Sequence, residues 1–234
     1  KSTVHREAYK PIVQGDIKKI KEAVCLIKKA KRPIIYAGGG VINSGPKASQ
    51  LLNDFVKMTG FPCTLTLMGL GAFPASDNQF LGMLGMHGTY EANLSMHECD
   101  LMIAIGARFD DRITGRLDQF SPNSKKIQID IDPSSINKNV AIDVGIIGDV
   151  SNVLGDLIKL LKVEKSNLSK RKLSNWWEKI NSWRSVNCLA FDQGTEIIKP
   201  QFAIQRLYNA CKKSKKETFI TTEVGQHQMW AAQH

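Results

Sequence analysis

Short, continuous apolar runs that break into glycine or acidic turns, with amphipathic helical stretches between them, constrain this chain more than any other feature. Ile34-Ile35-Tyr36-Ala37 runs straight into Gly38-Gly39-Gly40. Further runs occupy Cys63 to Leu67, Leu101 to Ile105, Ile127 to Ile131 and Val144 to Ile147. A strand apolar on both faces is a strand buried on both faces, as in a parallel sheet covered by helices. The intervening segments have helical spacing. Ile17, Ile20, Val24 and Ile27 follow Asp16 as N-cap, and Pro33 ends that stretch. Ala48, Leu51, Leu52, Phe55 and Val56 form the next apolar face, closed by Gly60-Phe61-Pro62. Helices are expected again near Tyr90 to His97 and over Val150 to Leu161. The alternation predicts an α/β fold with an open, doubly wound parallel sheet, which takes ligands beyond the carboxyl ends of its strands. Gly38, Thr66, Gly106 and Asp130 fall there.

The pattern divides the chain. Residues 1–15 read as a linker, 16–162 as the sheet domain and 163–199 as a second linker carrying one helix around Leu173 to Cys188. Residues 200–234 read as the truncated start of a second α/β domain. In that last part Pro200 opens a helix, with Phe202, Ala203, Leu207 and Cys211 expected to face inward. Thr218 to Thr222 is expected as its first strand, and Gly225 as the turn into another helix. A start at Lys1 and a stop at His234, inside a helix just begun, lead to the expectation of a piece of a longer protein.

A formal charge of +10 raises the question of nucleic acid. The lysines sit mainly in amphipathic helices, and Trp176, Trp177 and Trp183 recur at helical spacing. The reading is a solvated basic surface without a nucleic-acid partner. No apolar run of membrane-spanning length or signal-peptide layout is present. The five cysteines include no CxxC pair, which favours reduced, buried thiols over a disulfide framework or a metal site.

Two glycine-punctuated words stand out, Met83-Leu84-Gly85-Met86-His87-Gly88 and Gly106-Ala107-Arg108-Phe109-Asp110-Asp111-Arg112-Ile113-Thr114-Gly115. They place backbone amides, two arginines and two adjacent aspartates where a long phosphorylated ligand could lie. Gly38-Gly39-Gly40 would let a diphosphate approach the main chain, with amides at the following helix as donors. A structural reading stays open for each: a tight turn for the glycines, helix caps for Asp110 and Asp111, ion pairs for Arg108 and Arg112, and a turn residue for His87. None of these is the GxGxxG fingerprint, so NAD is not indicated.

Together with Gly69-Leu70-Gly71-Ala72-Phe73-Pro74 and Glu223-Val224-Gly225-Gln226-His227-Gln228-Met229-Trp230-Ala231-Ala232-Gln233, these words resemble the catalytic large subunits of acetolactate synthases, which depend on thiamine diphosphate. The resemblance implies a central domain with an FAD site. Its residues here would be Gly38, Gly39, Gly40, Thr66, Leu67, Leu84, Gly85, Met86, His87, Gly106, Ala107, Arg108, Asp110, Arg112, Ile113, Asp130, Ile131, Asp149 and Val150. Arg108 would neutralise the diphosphate, Asp130 would bind sugar hydroxyls or the adenine edge, and Met86 and His87 would pack on the flavin. Val224, Gly225, Gln226 and His227 would hold the diphosphate of thiamine diphosphate.

The ligands of Mg2+ and the catalytic glutamate would lie outside this chain, leaving no catalytic residue and no metal ligand within it. The family condenses pyruvate with a second pyruvate or with 2-oxobutanoate, releasing CO2, in branched-chain amino acid biosynthesis. It implies a homodimer or homotetramer, a regulatory small subunit, a flavin without net redox work, and a place in the bacterial cytoplasm or in a plastid or mitochondrion. This piece alone would be inactive. Rival readings are another flavin-containing thiamine enzyme, such as glyoxylate carboligase or pyruvate oxidase, and a non-catalytic nucleotide-binding module.

Overall fold

The protein is described by a computed structural model covering residues 10–163, 173–214 and 216–234. Residues 1–9 of the first expected linker, 164–172 of the second and Lys215 lie outside the described residues. Six strands, β1 (Pro33–Ala37), β2 (Cys63–Leu65), β3 (Phe80–Met83), β4 (Leu101–Ile105), β5 (Lys125–Asp130) and β6 (Val144–Ile147), form one sheet in the order β3-β2-β1-β4-β5-β6. Every pairing is parallel. The order reverses between β1 and β4, the switch point at which such sheets open a crevice.

The helices are α1 (Ile17–Lys29), the short α2 (Gly39–Asn43), α3 (Pro46–Thr59), α4 (Tyr90–Glu98), the single turn α5 (Asp111–Thr114), α6 (Val150–Val163), α7 (Ser174–Arg184), α8 (Pro200–Ser214) and α9 (Gln226–Gln233). Asp16 caps α1 by accepting the Lys18 amide at 2.8 Å. Alternation along the strands fills two layers. Ile35, Ile103 and Ile127 meet Ile20, Val24, Phe55 and Leu157 of α1, α3 and α6. Ile34, Tyr36 and Met102 meet Met96 of α4 and Trp176 and Ile180 of α7. Thus the helix expected within 163–199 packs against the sheet, and its Trp176 Nε1 donates to the Pro33 carbonyl at 3.0 Å.

Several details differ from the expectations. β3 is a strand that periodicity missed, because Gly82 sits inside it with a positive φ of 87° and its register against β2 shifts. β2 stops at Leu65 because Thr66 turns the chain into a 3-10 turn, its hydroxyl accepting the Gly69 amide at 3.0 Å. Thr218 to Thr222 is not a strand, since among the described residues no neighbour supplies the ladder that a strand requires. α8 is a helix as expected, and within this chain none of its residues is buried. Of the cysteines only Cys63 and Cys99 are buried; Cys25 and Cys188 are exposed and Cys211 is half-buried. Among the described residues no helix is long and apolar enough to cross a membrane.

Candidate cofactor-binding site

At the switch point the turn after β1 crosses the turn after β4 in direct backbone contact. Gly38 donates its amide to the Ile105 carbonyl at 3.0 Å, and Gly40 donates to the Gly106 carbonyl at 2.9 Å. A Cβ on Gly38 would lie 2.5 Å from the Gly106 oxygen, and one on Gly40 would lie 2.6 Å from the Gly106 Cα. These glycines therefore permit two main chains to cross. Of the amides at this turn, those of Gly38 and Gly40 already have partners and are not free donors for a diphosphate.

The turn after β4 carries the two arginines. Arg108 is 63 % exposed and pairs with Asp110 at 3.1 Å, so the ion-pair reading is realised while the guanidinium stays open to solvent. An exposed pair of this kind contributes little to stability. Asp110 stands at the N-cap of α5 without a side-chain cap bond, and Asp111 accepts the Arg112 amide at 2.9 Å. Arg112 is exposed and has no ion pair among the described residues.

The turn after β3 docks against that segment. Gly85 has a positive φ of 93°, and its amide and carbonyl are both bound by the Asn93 side chain, at 2.8 and 2.9 Å. The Met86 amide then donates to the Arg112 carbonyl at 3.0 Å. The two conspicuous words of the sequence are thus one structure, with a cleft of about 340 Å³ between them, lined among others by Met86, Asn93, Arg112 and Phe120. Leu84 is buried and Ile113 half-buried, whereas Met86 and His87 are exposed. Asn93 was not singled out from sequence. Its position eight residues after Gly85, on a helix, carries no local signal.

The remaining edge positions differ in character. Leu67 and Thr66 are half-buried. Met68, next to them and not anticipated, is 75 % exposed. Asp130 is only 9 % exposed, and one of its carboxylate oxygens accepts the Asp132 amide at 2.9 Å. Burial pushes its carboxyl above the ordinary value, partly offset by backbone hydrogen bonds and by Arg108. Ile131 beside it is exposed. Asp149 is committed to the fold: it accepts Ser44 Oγ at 2.9 and 2.8 Å, the Ser151 amide at 2.9 Å and Ser151 Oγ at 2.5 Å. Burial raises its carboxyl, but the hydrogen bonds from Ser151 and Ser44 outweigh it and leave the group below its ordinary value. Val150 is buried as the first residue of α6.

Val224, Gly225, Gln226 and His227 are placed at the entry to α9. Val224 and His227 are exposed, and Gly225 caps the helix without a side-chain bond. The far end of α9 reaches the turn after β3, where Gln233 Nε2 donates to the His87 carbonyl at 2.9 Å. At 1.5 Å per residue, Gln226 then lies about 10 Å along the helix from that contact. Among the described residues no group of three or more His, Cys, Asp or Glu side chains could hold a metal ion.

The fold and edge loops define a doubly wound α/β unit whose polar loops gather at the switch point. Residues 20–157 match the central domain of thiamine pyrophosphate enzymes, and the chain belongs to that family. It is 46 % identical over 231 residues to the acetolactate synthase large subunit of Haemophilus influenzae, covering 99 % of this chain and 39 % of that protein. It is 44 % identical over 230 residues to the acetolactate synthase isozyme 3 large subunit of Escherichia coli K12, covering 98 % and 39 %. A probable acetolactate synthase large subunit of Methanococcus aeolicus is 43 % identical over 240 residues, covering 100 % and 40 %. The chain spans about two fifths of the length of these relatives.

Proposed function

We propose that this chain is the central part of an acetolactate synthase catalytic subunit, followed by the opening of its thiamine diphosphate domain. The observation that carries the reading is the likeness to such subunits across nearly the whole chain. The intact protein joins two pyruvates, or pyruvate and 2-oxobutanoate, to 2-acetolactate or 2-aceto-2-hydroxybutanoate with loss of one CO2, in branched-chain amino acid biosynthesis. It works in the bacterial cytoplasm or in a plastid or mitochondrion, as an oligomer of catalytic subunits with a regulatory small subunit.

The carboxyl edge of the sheet has the chemistry that FAD requires. Arg108 and Arg112 offer exposed guanidinium groups to a diphosphate, and the forked donor suits phosphate oxygens. The buried Asp130 carboxylate can accept ribose hydroxyls. Met86, 64 % exposed, and Met68 offer polarizable apolar surface to a flat ring system. Gly38, Gly40 and Gly106 hold the two central turns together, and Asp149 spends its side chain on Ser44 and Ser151.

Thiamine diphosphate, when bound with Mg2+ through residues of the intact protein, supplies the electron sink for decarboxylating a 2-oxo acid. In this chain Val224 to His227 would hold its diphosphate, with exposed His227 as a hydrogen-bond donor. The chain supplies binding and placement, and the base and metal ligands come from elsewhere in the subunit. The test is to incubate the full-length protein with pyruvate, thiamine diphosphate, Mg2+ and FAD and to measure acetolactate as acetoin after acid treatment. Acetolactate in step with pyruvate consumed is the expected result. Acetate or peroxide as the product would instead point to an oxidase.

A further inference from the structure

Tyr36 and Gln128 are fully buried polar side chains in the middle of β1 and β5, on the sheet face covered by α4 and α7. The roles assigned above use neither. A buried phenol or amide is costly unless hydrogen-bonded, so its partner indicates what it is for. Both reach the same short segment. Gln128 Nε2 donates to the Ala107 carbonyl at 3.4 Å and also to the Ser135 carbonyl at 3.3 Å, and Tyr36 Oη donates to the Arg108 carbonyl at 2.7 Å. A third side chain, Asn139 on the loop before β6, donates through Nδ2 to the Phe109 carbonyl at 2.7 Å. Three consecutive carbonyls are thus bound by side chains from three separate parts of the chain.

The consequence is orientation. With these carbonyls fixed against the body of the protein, the Arg108 side chain is left on the solvent side, 63 % exposed, while Ala107 and Phe109 on either side of it are buried. The Phe109 ring packs 5.7 Å from the Tyr36 ring and adds a second hold on the same residues. The amides of Arg108 and Asp110 donate no hydrogen bond within the described residues, and the side chains of both residues are exposed.

We propose that Tyr36, Gln128 and Asn139 are positioning residues that clamp the Ala107 to Phe109 backbone and thereby aim Arg108 at the diphosphate of FAD. This rests on the FAD reading given above. Tyr36 holds the closest of the three to Arg108 itself, and Tyr36→Phe removes only its hydroxyl.

The test is a double-mutant cycle on the full-length protein, with FAD affinity read from the change in flavin fluorescence and folding checked by thermal melting. Tyr36→Phe is expected to weaken FAD by about three- to tenfold, the span of one net hydrogen bond. In the Arg108→Ala background the same substitution is expected to change affinity by less than about twofold, since residues acting through one another are non-additive. A full loss retained without the Arg108 side chain would overturn the proposal, as would unchanged FAD affinity in a Tyr36→Phe protein that merely melts lower. Wild-type protein that binds no FAD would overturn the FAD reading and this inference with it. Wild-type binding with additive effects would overturn this inference alone. Should Tyr36→Phe fail to fold, Asn139→Ala, on an exposed residue, undergoes the same cycle with the same outcomes.

Discussion

Gly106→Ala is expected to lower the stability of the protein by about 2 to 5 kcal/mol, combining a left-handed backbone cost with overpacking against main chain. Gly106 has φ +56°, and a Cβ there would meet the Gly40 Cα at 2.7 Å and the Val41 amide nitrogen at 2.8 Å. Neither neighbour is the flexible end of a side chain, so relief requires the turns after β1 and β4 to separate. Gly60 is the control: it is left-handed at the end of α3, with φ +71° and ψ 13°, and nothing lies within 4 Å of an added Cβ. Gly60→Ala is therefore expected to lose only the conformational part, about 1 to 2 kcal/mol. Urea denaturation of both variants measures the difference. Equal losses would mean that the crossing is not tight and that Gly106 serves only its backbone angle.

Trp176→Ala is expected to cost about 3 to 5 kcal/mol, the range for truncating a large buried aromatic side chain. Trp176 is 2 % exposed and lies edge-on to Trp183 at 5.7 Å, and its Nε1 satisfies the Pro33 carbonyl. α7 brings it onto the face that holds Tyr36, so its loss opens the layer behind the Arg108 segment. Trp176→Phe keeps most of the volume but abandons the carbonyl, and should fall between wild type and alanine. Denaturation curves read the series. A loss below about 1 kcal/mol for alanine, the scale of an ordinary surface change, would make α7 an appendage rather than a layer.

How far the sequence foretold this architecture depends on what each signal encodes. The runs at Ile34, Leu101 and Ile127 were legible because burial on both faces leaves few polar residues. β3 was not, because a glycine with positive φ inside a four-residue strand erases the pattern. The apolar face of α8 is real as a pattern, yet periodicity says which residues share a face and nothing of what covers it. At the site the glycine words were visible, but the partners of their amides were not. Gly38 and Gly40 give theirs to residues more than sixty positions away. Tyr36 likewise looked like one more apolar strand residue, and its hydroxyl partner lies 72 residues further along. Such long-range pairings are set by strand order, which no local spacing records.

The central proposal is that the carboxyl edge of this sheet holds a flavin that the reaction does not turn over. Full-length protein stripped of flavin and then titrated with FAD tests it most directly, with acetolactate and dissolved oxygen followed together during turnover on pyruvate. The account predicts saturable FAD binding, carboligase activity that returns in step with bound FAD, and oxygen uptake far below the acetolactate formed. Full activity without flavin, or one oxygen consumed for each pyruvate decarboxylated, would contradict it.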